Sequence, residues 1–389
     1  MSQLLNERWS ETKEALLEGL SGTRKSSMAV CLENTRRHLA ESATAGATSA
    51  GNIATLNRVI LPVIRRVMPT VIANEIIGVQ PMTGPVAQIH TLRVRYADGV
   101  ASGDTVTAGE EALSPFKIAQ AYSGNNASNG GANTTAALEG TPGKRMSIQI
   151  LKSPVEAKSR KLSARWTFEA AQDAQAQQGI DIEAEIMAAL AQEITAEIDQ
   201  EVLGSLATLA GTQNQVAYNQ AAVSGTATFV GDEHAALAVA INRVANTIAQ
   251  RTRRGAGNWA VVSPTALTVL QSATTSAFAR TTEGTFEAPT NTKFVGTLNN
   301  AMKIYVNTYA ANDTVLVGYK GASESDAAAF YCPYIPLMSS GVVLDPATFE
   351  PVVSFMTRYG YVELTNTASS LGNAADYLGT VTMTGLSFT

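Results

Sequence analysis

The residues that could carry out catalysis or bind a metal ion are few and scattered along this chain of 389 residues. The three histidines, His38, His90 and His234, show neither an HExxH pattern nor a paired spacing that would bring two imidazoles to one metal. The two cysteines, Cys31 and Cys332, are too far apart in sequence for a metal-type pair, and we expect free thiols in a reducing cytoplasm. These residues predict neither a metal site nor a cofactor.

Two glycine-containing runs look like nucleotide-binding loops only superficially. GYKG (residues 318–321) lacks the GxxxxGK[ST] spacing of a phosphate loop and is better explained as a turn after a strand. RRGAGN (residues 253–258) follows a predicted helix and leads into a strand, which is the reverse of the order in dinucleotide-binding motifs. The sequence also has no GxSxG elbow and no Cys–His arrangement. No catalytic site is predicted, and an enzyme of mixed α/β class is the least favoured interpretation.

Charged residues form two adjacent blocks of opposite sign. Residues 144–165 contain seven basic side chains and one acid, whereas residues 166–242 contain eleven acids and no Lys or Arg. Such blocks are expected where one subunit lies on the next, and pairing within one chain explains them equally well. The candidate contact residues between subunits are Lys144, Arg145, Lys152, Lys158, Arg160, Lys161 and Arg165 on the basic side, with Glu183, Glu193, Glu197 and Glu201 on the acidic side.

The composition is typical of a protein with extensive interfaces. Charged residues make up 16% of the chain, below the roughly 25% of typical soluble proteins, and interface cores are depleted in Lys, Glu and Asp. An Ala-rich enzyme would have a similar composition. The net charge of −5 argues against a general nucleic-acid-binding surface. The N terminus lacks the apolar region of a secretory signal, and no segment is predicted to span a membrane.

Hydrophobic spacing predicts a long helix and a two-stranded arm. Ile, Leu or Val recurs every four residues through the stretch 181–209, which predicts a helix there. Alternating patterns predict strands within 88–96 and 146–168. Between them, residues 97–143 are rich in Gly, Ser, Asn and Ala, so we expect a protruding arm with a weakly ordered tip.

The remainder of the chain predicts mixed helices and strands with short connections. Helices are predicted at His234–Arg251 and Pro264–Ser272. The apolar run at 327–338 is expected to be divided into pieces by Pro333 and Pro336, because proline removes a donor from a strand ladder.

Five runs, in order, resemble the major capsid protein of the T-even type of myovirus. They include VIRRVMPTVIANEIIGVQPMTGP near the start and VGYKGASESDAAAFYCPYIPL toward the end. The runs occupy residues 63–96, 161–202, 248–264, 317–337 and 349–360. The resemblance implies the α+β capsid fold shared by tailed phages and herpesviruses. Two departures are noted: residues 97–143 are shorter than the folded insertion of the T-even proteins, and the tail after Thr365 does not resemble that group.

The resemblance also implies how the chain divides into domains. The expected parts are an N-terminal arm at 1–55, a peripheral domain at 56–87 and 166–230 that includes a spine helix at 181–209, an extended E-loop at 88–165, an axial domain at 231–335, and a return to the peripheral domain with a C-terminal tail at 336–389.

The implied function is structural. We expect a subunit that self-assembles into capsomers, mainly hexamers, of an icosahedral or prolate head shell that encloses phage DNA without sequence-specific binding. The expected location is the virion, after assembly in the host cytoplasm, with no membrane involved. Expected partners are further copies of the chain and scaffold, prohead protease, portal and decoration proteins. The alternatives are a pentamer-specific vertex paralogue and, less favoured, an encapsulin-like compartment shell. Neither enzymatic activity nor a cofactor is implied.

The N terminus carries a possible processing site. Residues 3–20 have the spacing of an amphipathic helix, whose apolar face is suited to holding scaffold, and the chain becomes a small-residue tract after residue 41. Prohead proteases of the resembled group cut after Leu or Ile, any residue and Glu, which LAES (residues 39–42) and LLEG (residues 16–19) both match. We expect either maturation cleavage between Glu41 and Ser42 or a permanent N-terminal arm.

Overall fold

A computed structural model gives the fold of most of the chain. It describes isolated positions at 9, 13, 14, 17, 22, 108, 109, 112, 122, 123 and 132, and the ranges 25–34, 72–99, 134–140, 143–178, 181–212, 214–223, 230–252, 254–273, 278–280, 293–299, 301–310, 313–323, 326–348, 350–364 and 374–386. Two compact units emerge. Unit 1 comprises residues 1–87, 154–203 and 330–362, and unit 2 comprises residues 88–153, 204–329 and 363–389.

Unit 1 is built on a sheet in which, among the described residues, the strand order is β1–β11–β13–β12 and β4 also pairs with β13. The strands are β1 (Gly78–Val79), β4 (Lys158–Arg165), β11 (Ala329–Ser339), β12 (Val343–Leu344) and β13 (Pro351–Glu363). Its helices are an N-terminal helix described over residues 25–34, then Ala73–Ile76, Phe168–Gln178 and the greater part of a long helix, Ile182–Ala210. Alternate residues of β13 are buried, from Val353 to Tyr359, as expected for a strand with one face against a core.

The prediction that prolines divide the apolar run at 327–338 is wrong. β11 is one continuous strand that contains both Pro333 and Pro336. The carbonyl of Pro333 accepts a hydrogen bond of 3.0 Å from the N–H of Met82, so the position contributes an acceptor to the sheet although proline has no N–H to donate. Sequence alone does not show on which side of a strand a missing donor is tolerated.

The long helix runs from Ile182 to Ala210, within one residue of the predicted bounds. The Asp181 carboxylate caps its N terminus by accepting the N–H groups of Glu183, at 3.1 Å, and Ala184, at 3.4 Å. Gly211 follows the last turn with a φ of 49°, a left-handed conformation that glycine adopts without a steric penalty. Within the described part of the chain, no helix is long and apolar enough to cross a membrane.

Strands β2 (Val86–Tyr96) and β3 (Met146–Glu156) pair as a two-stranded ribbon. The predicted arm therefore has two strands, and part of its connecting stretch is organised. Tyr96, Ala112 and Tyr122 are buried together, the two tyrosine rings lie 4.5 Å apart, and a short helix occupies Thr135–Leu138. A small apolar cluster thus accompanies the ribbon.

Unit 2 also contains a mixed sheet whose described strands have the order β5–β14–β10–β6–β9–β8–β7. These strands are β5 (Gln215–Asn219), β6 (Trp259–Val262), β7 (Phe278–Arg280), β8 (Lys293–Leu298), β9 (Met302–Val306), β10 (Thr314–Gly318) and β14 (Leu378–Thr384). The helices Gln220–Val223, Val230–Thr252 and Pro264–Ser272 belong to this unit, as does a 3-10 turn at Ala374–Tyr377. The apolar side chains of the two longer helices form one core with β6, β9, β10 and β14.

Two strands group differently from the predicted domain division. β4 was expected within the E-loop, but it pairs with β13 in the sheet of unit 1 from Lys158 to Arg165. β14 falls in the segment 336–389, which was expected to return to the peripheral domain and end in a C-terminal tail, but it lies between β10 and β5 in the sheet of unit 2. Both differences arise from pairings between segments distant in sequence, and hydrophobic periodicity carries no information on such partners. The assignment of the peripheral, axial and E-loop names stays a prediction.

Candidate functional site

A charged cluster in unit 1 joins β4, the long helix and β13. Arg160 on β4 places its Nη1 2.7 Å from Oε2 of Glu197 and its Nη2 2.5 Å from Oε2 of Glu201. The two carboxylates are four residues apart, so they lie on one face of the helix and one guanidinium reaches both. Arg160 Nε also donates to the hydroxyl of Tyr359, at 2.6 Å, and that hydroxyl donates to Glu201.

The electrostatics of this cluster favour its charged form. Burial alone would raise the pKa of Glu201, but hydrogen bonds from Tyr359 and Arg160 outweigh burial and the pKa is lowered. Burial likewise opposes the charge on Arg160, yet the hydrogen bonds to Glu201 and Tyr359 raise its pKa. Burial and the bond to Glu201 raise the pKa of Tyr359. An acid held ionised beside a permanent cation is poorly suited to proton transfer, so the arrangement is an ion-pair network that connects three elements.

This network changes the interpretation of the two charge blocks. Arg160, Glu197 and Glu201 were candidates for contacts between subunits, but the structure pairs them with one another inside one subunit. Two further basic candidates have partners in their own chain: Arg145 lies 3.2 Å from Asp98, and Arg165 lies 3.7 Å from Glu350. For these five residues, pairing within the chain is the observed arrangement.

The other six candidates stay predicted contact residues. Lys144 donates to the carbonyl of Gly99 at 3.0 Å. Four further candidates are exposed: Lys152, Lys158, Lys161 and Glu193. Glu183 is half-buried in the first turn of the long helix.

Two apolar surfaces are exposed that the sequence analysis did not single out. On β3, Met146, Ile148 and Ile150 point to one face because they alternate, and they are 53%, 68% and 61% exposed. At the edge of unit 1, the turn and strand at 342–344 expose Val342, Val343 and Leu344. The alternation of apolar and polar residues along β3 was visible in the sequence. It predicts a strand with one buried face, but it does not identify the surface against which that face packs.

The residues considered for chemistry lie apart from one another. His90 is exposed on the ribbon, whereas His234 is buried with its Nδ1 2.5 Å from Oγ of Ser272. Cys31 and Cys332 are thiols outside any disulfide, and burial raises the pKa of each to about 12. Among the residues that the structure describes, no three His, Cys, Asp or Glu side chains are placed to hold a metal ion. His38 lies outside the described residues.

The glycine run GYKG follows a strand, as predicted, and residues 319–321 form a connection outside any strand or helix. Gly318 ends β10, and the N–H of Gly321 donates to the carbonyl of Asp326 at 2.9 Å. RRGAGN likewise separates the helix Val230–Thr252 from β6. Neither run connects a strand to a following helix, which is the arrangement that a phosphate-binding loop requires.

The N-terminal region differs from the predicted free arm. Leu17, Met28, Cys31 and Leu32 are buried at 7% exposure or less, and these residues belong to unit 1. Of the apolar face at residues 3–20 that was assigned to scaffold binding, Leu17 is therefore covered by the chain itself. Glu41 and Ser42 lie outside the described residues, and cleavage between them stays a prediction.

Asp199 is a buried carboxyl of unit 1 whose ionisation should make folding depend on pH. It is 0% exposed and accepts the N–H of Ile72 at 2.9 Å. Burial raises its pKa to about 7, against the smaller opposing effect of that hydrogen bond. Because the pKa of Asp199 is raised on folding, unit 1 loses stability as pH rises from about 4, where the carboxyl ionises in the unfolded chain, to about 7, where it ionises in the folded one, and loses no more above that.

We expect Asp199→Asn to remove this dependence, because the amide oxygen keeps the acceptor for Ile72 without a charge. At about pH 8 the variant should be more stable than the wild type by on the order of 3 kcal/mol, and the difference should shrink as pH falls and vanish only near pH 4 or below. Urea unfolding at both pH values measures this. Asp199→Ala is the control, since it loses the acceptor and should be destabilised at low pH. An unchanged pH dependence in the Asn variant would contradict the assignment.

Comparison with known proteins identifies one family. The family described as Major capsid protein Gp23 matches residues 53–383. The major capsid protein of Vibrio phage KVP40 is 30% identical over 421 residues, covering 84% of this chain and 80% of that protein. The major capsid protein of Enterobacteria phage T4 is 29% identical over 403 residues, covering 81% and 76%. The family match continues past Thr365, so the expectation that the tail lacks resemblance is corrected.

Solved structures of similar shape also come from phages. A Microbacterium phage Oxtober96 chain superposes with a TM-score of 0.46 and 14% identity, covering 80% of this chain and 90% of that one. The capsid of Myoviridae phage XM1 gives a TM-score of 0.45 and 12% identity, covering 79% and 90%. At these TM-scores the likeness adds no argument to the family match.

Proposed function

The chain belongs to the Major capsid protein Gp23 family, and we propose that copies of it are joined through the exposed apolar face of the β2–β3 ribbon. The family establishes the general role: the chain is a structural subunit of a phage head shell, it is located in the virion, and it assembles with further copies of itself. The proposal concerns which surface makes the contact.

One observation carries this proposal. Met146, Ile148 and Ile150 form a continuous apolar strip with more than half of each side chain exposed. A two-stranded ribbon is marginally stable alone in water, so a strip of this kind favours burial against another surface. Covering it would contribute about 1 kcal/mol or more per side chain at the usual value for buried apolar area. In a shell, the same contribution repeats for every copy.

The partner that we propose for the apolar strip is a second copy of this chain. A shell subunit meets many identical neighbours, and basic residues flank the strip at Lys144 and Lys152. The exposed acid Glu193, on the long helix of unit 1, offers the opposite charge on a neighbouring copy. A contact between two different surfaces of identical subunits generates a ring when the rotation closes. We propose mainly hexameric rings as the capsomers.

The test is a triple substitution on the strip. Met146→Thr, Ile148→Thr and Ile150→Thr together keep strand propensity and remove most of the apolar area. We expect a folded subunit, with an unchanged circular dichroism spectrum, that no longer forms rings or shells in light scattering and electron microscopy. The matched control is Ser147→Ala with Gln149→Ala on the same strand, which should assemble like the wild type. Normal assembly of the triple variant would contradict the proposal.

The remaining expectations about partners are also proposals. Scaffold, prohead protease, portal and decoration proteins are proposed partners, and DNA is proposed to be enclosed without sequence-specific binding. No catalytic role is proposed, because the charged cluster of unit 1 is satisfied by its own ion pairs.

Processing between Glu41 and Ser42 is proposed on the sequence motif alone. Mass spectrometry of the capsid band from mature virions would decide it: a chain that begins at Ser42 supports processing, and a full-length chain contradicts it.

A further inference from the structure

The base of the β2–β3 ribbon belongs to unit 1, and a glycine of β13 lies directly against it. Gly360 is a buried residue of β13. A Cβ at this position would overlap Cγ1 of Val155 and would lie 3.1 Å from the carbonyl oxygen of Glu156, the last two residues of β3. Since non-bonded heavy atoms pack best at about 3.5–4.0 Å, a side chain at position 360 would displace the end of β3.

Gly360 is needed for the space that it leaves and not for its backbone conformation. It has no positive φ, so any residue could adopt its extended conformation. The volume beside it is filled by Val155, which is 2% exposed. Met82 is also 2% exposed, and its Cε lies 3.5 Å from the Cβ position of residue 360. In an interior packed this closely, one added methyl group must move its neighbours.

The chain passes from the sheet of unit 1 into the ribbon at the same point. β4 pairs with β13 as far as Lys158. The preceding residue, Ala157, donates its N–H to the carbonyl of Pro85 at 2.9 Å. Val155 is already part of β3, which pairs with β2. The contact between Val155 and Gly360 therefore lies at the first residues of the ribbon.

The apolar strip lies on the other face of the same strand. Side chains alternate between the two faces of a strand, so Val155 points away from the face that carries Met146, Ile148 and Ile150. Ile150 and Met146 lie about 17 Å and about 30 Å along the strand from Val155, at the usual rise per residue. A tilt of about 10° at Val155 would thus move Met146 by about 5 Å. A small change at the base is enlarged at the strip.

We propose that Gly360 is a positioning residue for the apolar strip. The side chain that it lacks lets Val155 pack against β13, and this contact fixes the base of the ribbon. Gly360 is itself buried, so it acts through Val155 and not by touching another copy. The expected effect on assembly rests on the proposed function, whereas the contact at the base can be measured in the unassembled subunit.

The experiment compares Gly360→Ala, Val155→Ala and the double variant in the full chain. In dilute subunits, Gly360→Ala should speed hydrogen exchange around Ala157 while β11 stays protected. The protein concentration needed for ring formation should rise on the order of 10-fold in this variant. In the double variant, the shorter side chain at 155 makes room for the added methyl group, so exchange and assembly should both return toward wild-type values.

This rescue distinguishes positioning from a general loss of stability. Two independent destabilising changes add, so a purely structural role predicts that the double variant is worse than either single variant. The matched control is Gly143→Ala, a glycine just before β3 where a Cβ meets nothing within 4 Å. It should exchange and assemble like the wild type, as should Val155→Ala in assembly.

Additive effects of the two changes, or unchanged exchange in Gly360→Ala, overturn the inference. If Gly360→Ala does not fold, folding of the double variant supports the inference and its failure to fold overturns it. Faster exchange around Ala157 together with normal ring formation supports the contact at the base and contradicts the proposed role of the strip. The inference and the proposed function therefore fail separately.

Discussion

Replacing Arg160 with Glu is expected to lower the free energy of unfolding of unit 1 by about 3 kcal/mol, because it removes one cation from two carboxylates and adds a third negative charge. The cluster is only partly shielded from water, since the Arg160 side chain is 31% exposed. The loss of stability would be larger if the cluster were fully buried, and screening by solvent limits it to about 3 kcal/mol. Tyr359 would also lose the guanidinium from which its hydroxyl now accepts a hydrogen bond.

Hydrogen exchange resolved by peptide is the appropriate measurement, because the chain has two units and a single unfolding transition is not assured. Faster exchange should occur in β4, in the long helix near Glu197 and in β13. The matched control is Lys161→Glu, the next residue of the same strand, with the same change of charge on an exposed side chain. It should alter stability by less than about 0.5 kcal/mol. Equal destabilisation by both variants would mean that the network has no special structural role.

The same pair of variants separates folding from assembly. Lys161 stays a predicted contact residue, so Lys161→Glu should fold normally and assemble poorly at low salt if it meets an acidic neighbour. Arg160→Glu should instead destabilise the folded subunit itself, before any assembly step. A combined reversal of Lys158, Arg160 and Lys161 would mix the two effects, which is why the single changes are more informative.

Gly318→Val is expected to destabilise unit 2 by at least about 3 kcal/mol, since overpacking in a core with no room to relax is strongly unfavourable. Gly318 pairs with Trp259 of β6 on one side and Leu378 of β14 on the other. A Cβ at this position would lie within 2.7 Å of three atoms of the Trp259 ring. Trp259 is 2% exposed, so its indole is enclosed by protein and could move only if neighbouring groups moved as well.

The change should be visible as a shift in Trp259 fluorescence and as weaker protection from hydrogen exchange in β6 and β10. Gly204→Ala is the control, because this glycine lies in the long helix and a Cβ there meets nothing within 4 Å. That variant should gain about 1 kcal/mol from better helix propensity. Tolerance of valine at position 318 without loss of stability would show that the packing around Trp259 is looser than described.

Local patterns in the sequence predicted several elements well. The long helix and the helix Pro264–Ser272 depend on periodicity and caps within a short stretch of chain. The capsid fold was recognised through the resemblance, which the family match confirms. Contacts between residues that are far apart in the sequence could not be predicted from such local patterns.

The charged cluster illustrates this limit. Arg160 and Tyr359 are 199 residues apart in sequence, and Arg160 and Glu201 are 41 residues apart. The opposite charges were evident, but spacing alone cannot distinguish a neighbour in the same chain from a neighbour in another copy. The N-terminal helix is a similar case: its buried face is visible as a pattern, whereas its attachment through Asn34 to β11 becomes evident only once the sheet is formed.

The central claim is that this chain builds a shell from many copies of itself. Electron microscopy of the purified full-length protein at high concentration, with light scattering on the same sample, tests it most directly. The account predicts ring-shaped capsomers, mainly of six subunits, and closed shells made from them. A monodisperse, fully folded monomer at every protein and salt concentration, with the ribbon strip still exposed, would contradict it.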